Sequence, residues 1–103
     1  MKPVINKSPR AKADILDLAE FLARSSLAVA ERFIDAAEAS IQDLILMPEM
    51  GNPWETENPR LRGLRYRPVK GFKNHLVFYR VTAESIDIVR VLHATRDLDA
   101  IVG

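Results

Sequence analysis

Cysteine is absent from this chain, so neither a disulfide nor a thiolate metal site can hold the fold, and a reducing compartment suits it. No run of about eighteen apolar residues occurs anywhere, which argues against a membrane-spanning helix. The first ten residues carry Lys2, Lys7 and Arg10 but no apolar stretch long enough for a signal peptide, so the expected location is the cytoplasm. Repeats and low-complexity segments are missing as well. Acid is missing from one stretch only: between Asn58 and Ala83 lie seven bases (Arg60, Arg62, Arg65, Arg67, Lys70, Lys73, Arg80) and no Asp or Glu. The preceding half leans the other way, with eight acids against four bases between Arg10 and Glu49, so a net charge of only +1 hides a polarised chain. A polarised domain attracts anionic partners to its basic part. What is present is ordinary: 103 residues, 48% hydrophobic and 28% charged, the size and composition of one globular domain over residues 1–103.

Periodicity places the elements. Val4 and Ile5, beside Pro3, read as a short strand within Met1 to Asn6, near a sheet edge. Ser8 followed by Pro9 is a helix start, because the hydroxyl accepts a free N–H and proline at the first helical position has none to lose. Ala11, Ile15, Leu18, Ala19 and Leu22 then recur on one helical face as far as Arg24, with Asp14, Asp17 and Glu20 off it and placed to favour the helix dipole. Ser25 and Ser26 supply a break and a second cap. Ala30, Phe33, Ile34, Ala37, Ile41, Leu44 and Ile45 trace a second stripe up to Pro48, giving an antiparallel helical hairpin. Three prolines and a glycine between Pro48 and Pro59 predict an irregular loop. Beyond it, Leu64, Tyr66 and Pro68 alternate with Arg65 and Arg67, Lys70 to Asn74 supplies a turn, and HLVFYRV is a strand. A turn at Thr82 to Ser85 leads to a β-branched strand over Ile86 to Leu92. Asp97 caps a final helical turn through Leu98, Ala100 and Ile101. The expected fold is α+β: a short strand, a helical hairpin packed on a three- to four-stranded antiparallel sheet, and a short C-terminal helical turn.

This order, with SPRAKADILDLAEFL early, LRGLRYRPVKGFKNHLVFYRV in the middle and IVRVLHATRD near the end, resembles the RelE/ParE toxin superfamily of type II toxin–antitoxin systems across almost the whole chain. No single piece is a diagnostic catalytic motif; the combination carries the resemblance. RelE-type members cleave messenger RNA in the ribosome, whereas ParE-type members poison DNA gyrase. Metal-free RNA cleavage needs a base, an acid and cations around phosphorus. RelE-like nucleases complete that site with a tyrosine near the C-terminus, and this chain ends LHATRDLDAIVG without one. The resemblance therefore implies a ParE-type toxin without enzymatic activity or cofactor, poisoning gyrase and neutralised by a ParD-like antitoxin. The alternatives are a ribosome-dependent RNase, and an inactive toxin fold that acts only as an antitoxin-binding co-repressor. Membrane and small-molecule partners are not expected, and nucleic acid enters only through gyrase or the antitoxin.

Each candidate residue has a plainer reading beside the functional one. Tyr66 and Tyr79 fall inside strands, where packing is the favoured role. His93 is a potential general acid, yet capping the sheet end is the simpler assignment. His75 has no second ligand at metal spacing, so no metal site is expected. Arg62, Arg65, Arg67, Lys70, Lys73 and Arg80, with Arg90, His93 and Arg96 of the closing motif, are the target-binding candidates, set against a merely solvated strand face. Leu16, Phe21, Leu27 and Leu46 fall off the core stripes and, with Trp54, are the candidates for an antitoxin groove.

Overall fold

The computed structural model describes residues 2–102, so Met1, included in the expected first strand, lies outside the described residues. The elements follow as β1 (Val4–Lys7), α1 (Pro9–Ala23), α2 (Leu27–Leu46), β2 (Asn52–Pro53), β3 (Arg65–Val69), β4 (Phe72–Val81), β5 (Ser85–His93) and α3 (Leu98–Val102). A single 3-10 turn, Pro59–Leu61, precedes β3. Both caps form as expected: Ser8 Oγ accepts the Ala11 N–H at 3.0 Å and Ser26 Oγ accepts the Val29 N–H at 3.2 Å. Ser8 also donates to the Val89 carbonyl at 2.8 Å, which fixes the start of α1 against β5.

The sheet has five strands in the order β1-β5-β4-β3-β2. Two features depart from the expected antiparallel meander. β1 lies at one edge, parallel to β5, pairing Val4 with Ser85 through to Lys7 with Ile88. The Pro-rich loop, expected to be irregular, contributes the two-residue β2, paired antiparallel to β3. The β3–β4 turn is also tighter than the expected Lys70–Asn74: Val69 already faces Phe72, and Gly71 takes a φ of +77°, a left-handed conformation that a side chain would strain. A bulge where Phe78 pairs with Arg90 and Tyr79 with Ile88 leaves Val89 unpaired and bends β5.

Strand alternation splits the apolar residues between two layers. Val69, Val77, Tyr79, Ile86, Ile88 and Val91 face the helices and pack on Ile15, Ala19, Phe33, Ala37, Ile41 and Leu44, the stripes read from the sequence. Leu64, Leu76, Phe78 and Leu92 face the other way, where Leu98 and Ile101 of α3, with Trp54 and Tyr66, cover them. The hairpin thus closes one face of the sheet and the C-terminal helix closes the other.

Candidate functional site

The basic run forms a free surface only in part: Arg60, Arg62 and Lys73 are exposed, while Arg65, Arg67 and Lys70 are engaged by the rest of the fold. Arg65 and Arg67 point to the helical face, toward the C-terminal half of α2 and the segment that follows it. Arg67 Nη1 donates to the Ser40 carbonyl and to Asp43 Oδ2, both at 3.2 Å, and lies 3.4 Å from Met50 Sδ. Arg65 Nη1 donates to the carbonyls of Glu49 at 3.2 Å and Gly51 at 2.8 Å. Lys70 Nζ sits 2.6 Å from Asp43 Oδ2. The Lys70 ammonium, hydrogen-bonded to the Asp43 carboxylate, and then Arg67 hold that carboxyl below the usual range. Buried Ser40 completes the clamp: its hydroxyl donates to the Ala36 carbonyl at 2.7 Å and accepts the Lys70 N–H at 3.0 Å. Three expected target-binding residues are thereby engaged in joining α2 and the segment after it to the sheet.

Arg90 is engaged in the same manner. Its Nε and Nη2 donate to Asp14 Oδ2 and Oδ1 at 2.7 and 2.9 Å, with both side chains only 12% exposed. The bidentate carboxylate bond raises the guanidinium pKa further. Asp14 Oδ2 also accepts the Val91 N–H at 3.0 Å. Asp14 was expected to serve the helix dipole; it instead covers the edge of β5 beyond the end of β1. Arg80 donates to the Arg60 carbonyl. Among the charged candidates, Arg62, Lys73 and Arg96 remain exposed without an ion pair among the described residues.

The imidazoles stand together. His75 pairs with His93 across β4 and β5, their ring centroids 4.9 Å apart and nearly perpendicular. Phe33 and Phe72 flank His75, whose Nδ1 is buried without a partner. Burial, then the neighbouring His93, lowers the His75 pKa. His93 Nδ1 is occupied by Thr95, 2.7 Å from its hydroxyl. The phenols follow the packing assignment: Tyr66 stacks near Trp54 and Phe78, while buried Tyr79 accepts the Gly51 N–H at 2.8 Å and has its pKa pushed up by burial. Among the described residues no three His, Cys, Asp or Glu side chains approach one another as metal ligands would, and no helix is long and apolar enough to cross a membrane.

The apolar candidates divide. Leu16, Phe21, Leu27 and Leu46 are between 60% and 77% exposed, large side chains turned from the core. Trp54 does not join them: it packs edge-on against Phe78 on the opposite face of the sheet, and its indole N–H donates to Asp99 at 2.6 Å. Sequence reading missed Met47, Pro48, Met50 and Val81, which line an open concavity where α2 ends, adjoining a second one lined by Pro3, Val4, Pro48 and Val81. Two methionines around a proline, outside any helical stripe, were the available signal.

With this geometry in place, comparison with known proteins yields one family model and one likeness of fold. A model described as the ParE toxin of type II toxin–antitoxin system, parDE, matches residues 5–98. No curated protein matches the chain. Among solved structures, a chain of a chromosomal ParDE TA system from P. aeruginosa superposes with a TM-score of 0.71, covering 89% of this chain and 96% of that one at 16% identity. At that identity the likeness speaks to the fold.

Proposed function

This chain belongs to the ParE toxin family of type II toxin–antitoxin systems, and from that premise we propose that it poisons DNA gyrase and is held inactive by a ParD-like antitoxin. The observation that carries the antitoxin reading is the exposure of Leu16, Phe21, Leu27 and Leu46 on the helical hairpin. Large apolar side chains in such positions suit an amphipathic segment that folds as it docks. The open outer edge of β1 can accept an extended stretch of the same segment. Arg62, Lys73 and Arg96 are the side chains we assign to the target, as the candidates of the basic run and closing motif that are exposed with no ion pair among the described residues. Arg65, Arg67, Lys70 and Arg90 act indirectly, by holding the helices to the sheet.

A ribosome-dependent RNase is the second reading, and the facing rings of His75 and His93 at one end of the sheet are the observation in its favour. Against it stand the occupied Nδ1 of His93 and the lack of any tyrosine after Tyr79. The purified chain is expected to inhibit gyrase supercoiling and to leave ribosome-bound messenger RNA intact. Cleavage at codons with gyrase unaffected overturns the proposal. Host growth that is indifferent to overexpression points instead to a co-repressor without toxicity.

A further inference from the structure

The C-terminal helix α3 is five residues long, too short to be stable alone, so its position depends on what it touches. Leu98 and Ile101 lie on the outer sheet face with Leu76, Phe78, Leu92 and Trp54. Two polar fastenings complete the attachment. At one end Asp99 accepts the Trp54 indole N–H at 2.6 Å and the Thr56 hydroxyl at 3.1 Å. At the other end Arg90 Nη1 donates to the Ile101 carbonyl at 3.2 Å.

The second fastening does not belong to α3 and β5 alone. The same guanidinium is gripped through Nε and Nη2 by Asp14 of α1, on the far side of the sheet. The planar fork of arginine makes this geometry possible, because its separate N–H groups point to two partners at once in fixed relative directions. The path exists only because β1 stops at Lys7, opposite Ile88, and leaves the β5 edge open for Arg90 between the two layers. The bulge at Val89 sits beside it.

We propose that Arg90 is a strut that couples α1 to α3, so that the C-terminal helix is a strap held shut by the position of α1. A displacement of Asp14 draws the guanidinium away from the Ile101 carbonyl and loosens α3. The strap then uncovers an apolar face containing Trp54, Tyr66 and Phe78, aromatic residues of the kind that anchor protein partners. Asp14 lies two residues before Leu16, which the functional reading assigns to the antitoxin. A ligand on the outer face of α1 thereby controls the opposite side of the sheet. That last link rests on the proposed function; the strut does not.

The test uses the full chain with no partner, so its failure is distinguishable from failure of the toxin reading. Trp54 is the single tryptophan and reports on the strap directly. Asp14→Asn keeps the shape of the side chain and removes its charge. Arg90→Lys keeps the charge and removes the fork, which provides a second variant should the first fold poorly. Asp99→Asn weakens the other fastening and serves as the reference for a loosened strap. Acrylamide quenching of Trp54 and amide exchange at Ile101 are measured in each, with exchange in β4 as the control for an intact fold. Losing a hydrogen bond to a charged group corresponds to roughly tenfold in the opening equilibrium. Both strut variants are therefore expected to raise Ile101 exchange by roughly that factor, with greater quenching of Trp54 and unchanged β4. Wild-type exchange and quenching in Asp14→Asn and Arg90→Lys overturn the proposal, whether or not Asp99→Asn loosens the helix.

Discussion

Gly51 is where the packing is least forgiving, and the reason is space. Its φ is not in the left-handed region, so a side chain there is not excluded by backbone conformation. A Cβ, however, would lie 2.5 Å from Tyr79 Oη, 2.7 Å from the Tyr66 carbonyl oxygen and 2.8 Å from Tyr79 Cε1. Two of those atoms belong to a fully buried ring and one to the backbone of β3, so no flexible side-chain end can move aside. Overpacking of this kind costs about 1–3 kcal/mol. Gly51→Ala also pushes the Gly51 N–H away from Tyr79 Oη, and a buried polar group left unpaired adds about 1–3 kcal/mol. The expected loss of about 2–6 kcal/mol is a large share of the roughly 5–15 kcal/mol typical of a domain this size. With a urea m-value of about 2 kcal/mol/M, the midpoint falls by about 1–3 M. Urea titration followed by Trp54 fluorescence and by circular dichroism measures it. Tyr79→Phe relieves only the closest of the three contacts, so the double variant should recover part of the loss and no more. A Gly51→Ala unfolding free energy within about 0.5 kcal/mol of the parent refutes the reasoning.

Three further outcomes follow from the ion pairs and the imidazoles. Asp14→Ala strips the carboxylate from a largely buried guanidinium and uncovers the Val91 N–H, so chemical denaturation should show a loss of about 2–4 kcal/mol, a little below that of a fully buried pair. The His75 pKa is lowered, so its neutral form is favoured in the folded state. That contribution is complete above the unfolded value near pH 6.5 and is lost as pH falls through the folded pKa. His75→Gln should remove the part of the stability loss that sets in as pH falls below about 6.5, and an unchanged slope there counts against the burial argument. Asp43 is also lowered, by Lys70 first and then Arg67, so its contribution is present above the unfolded carboxylate value near 3.9 and disappears as pH falls through the folded one. Asp43→Asn should remove that acid-limb slope, and salt should reduce it in the parent chain, because the pair is part-exposed.

Much of the fold was legible because it is written locally. Ser8-Pro9 and Ser26 place the helix starts to the residue, and the apolar stripes of both helices are the ones buried. Long-range pairing was not legible. Four residues at Val4–Lys7 carry the signature of an edge strand but none of a parallel neighbour eighty positions away, and two at Asn52–Pro53 are too few for any period. The candidate site was legible by type and illegible by direction. Alternation correctly put Arg65 and Arg67 on one side of β3 and Tyr66 on the other. It did not tell which side the helices cover, since a basic row beside apolar residues reads as solvent-facing.

The reason for that inversion also explains the polarised charge. Acids concentrated in the helical half and bases in the strand half look, along the sequence, like a surface waiting for a polyanion. In three dimensions the halves are the two layers of one domain, and each ion pair found joins one layer to the other: Lys7 with Glu38, Arg67 and Lys70 with Asp43, Arg90 with Asp14. Part of the apparent basic field is thus consumed internally: Arg67 and Lys70 share Asp43, and Arg65 and Arg80 are bound to backbone carbonyls. A charge segregated by sequence predicts a charged partner only after the pairs made by folding are subtracted. After that subtraction Arg62, Lys73 and Arg96 remain as the exposed candidates, beside an exposed Arg60, and a salt dependence of target binding should follow those three side chains and not Arg65 or Arg67.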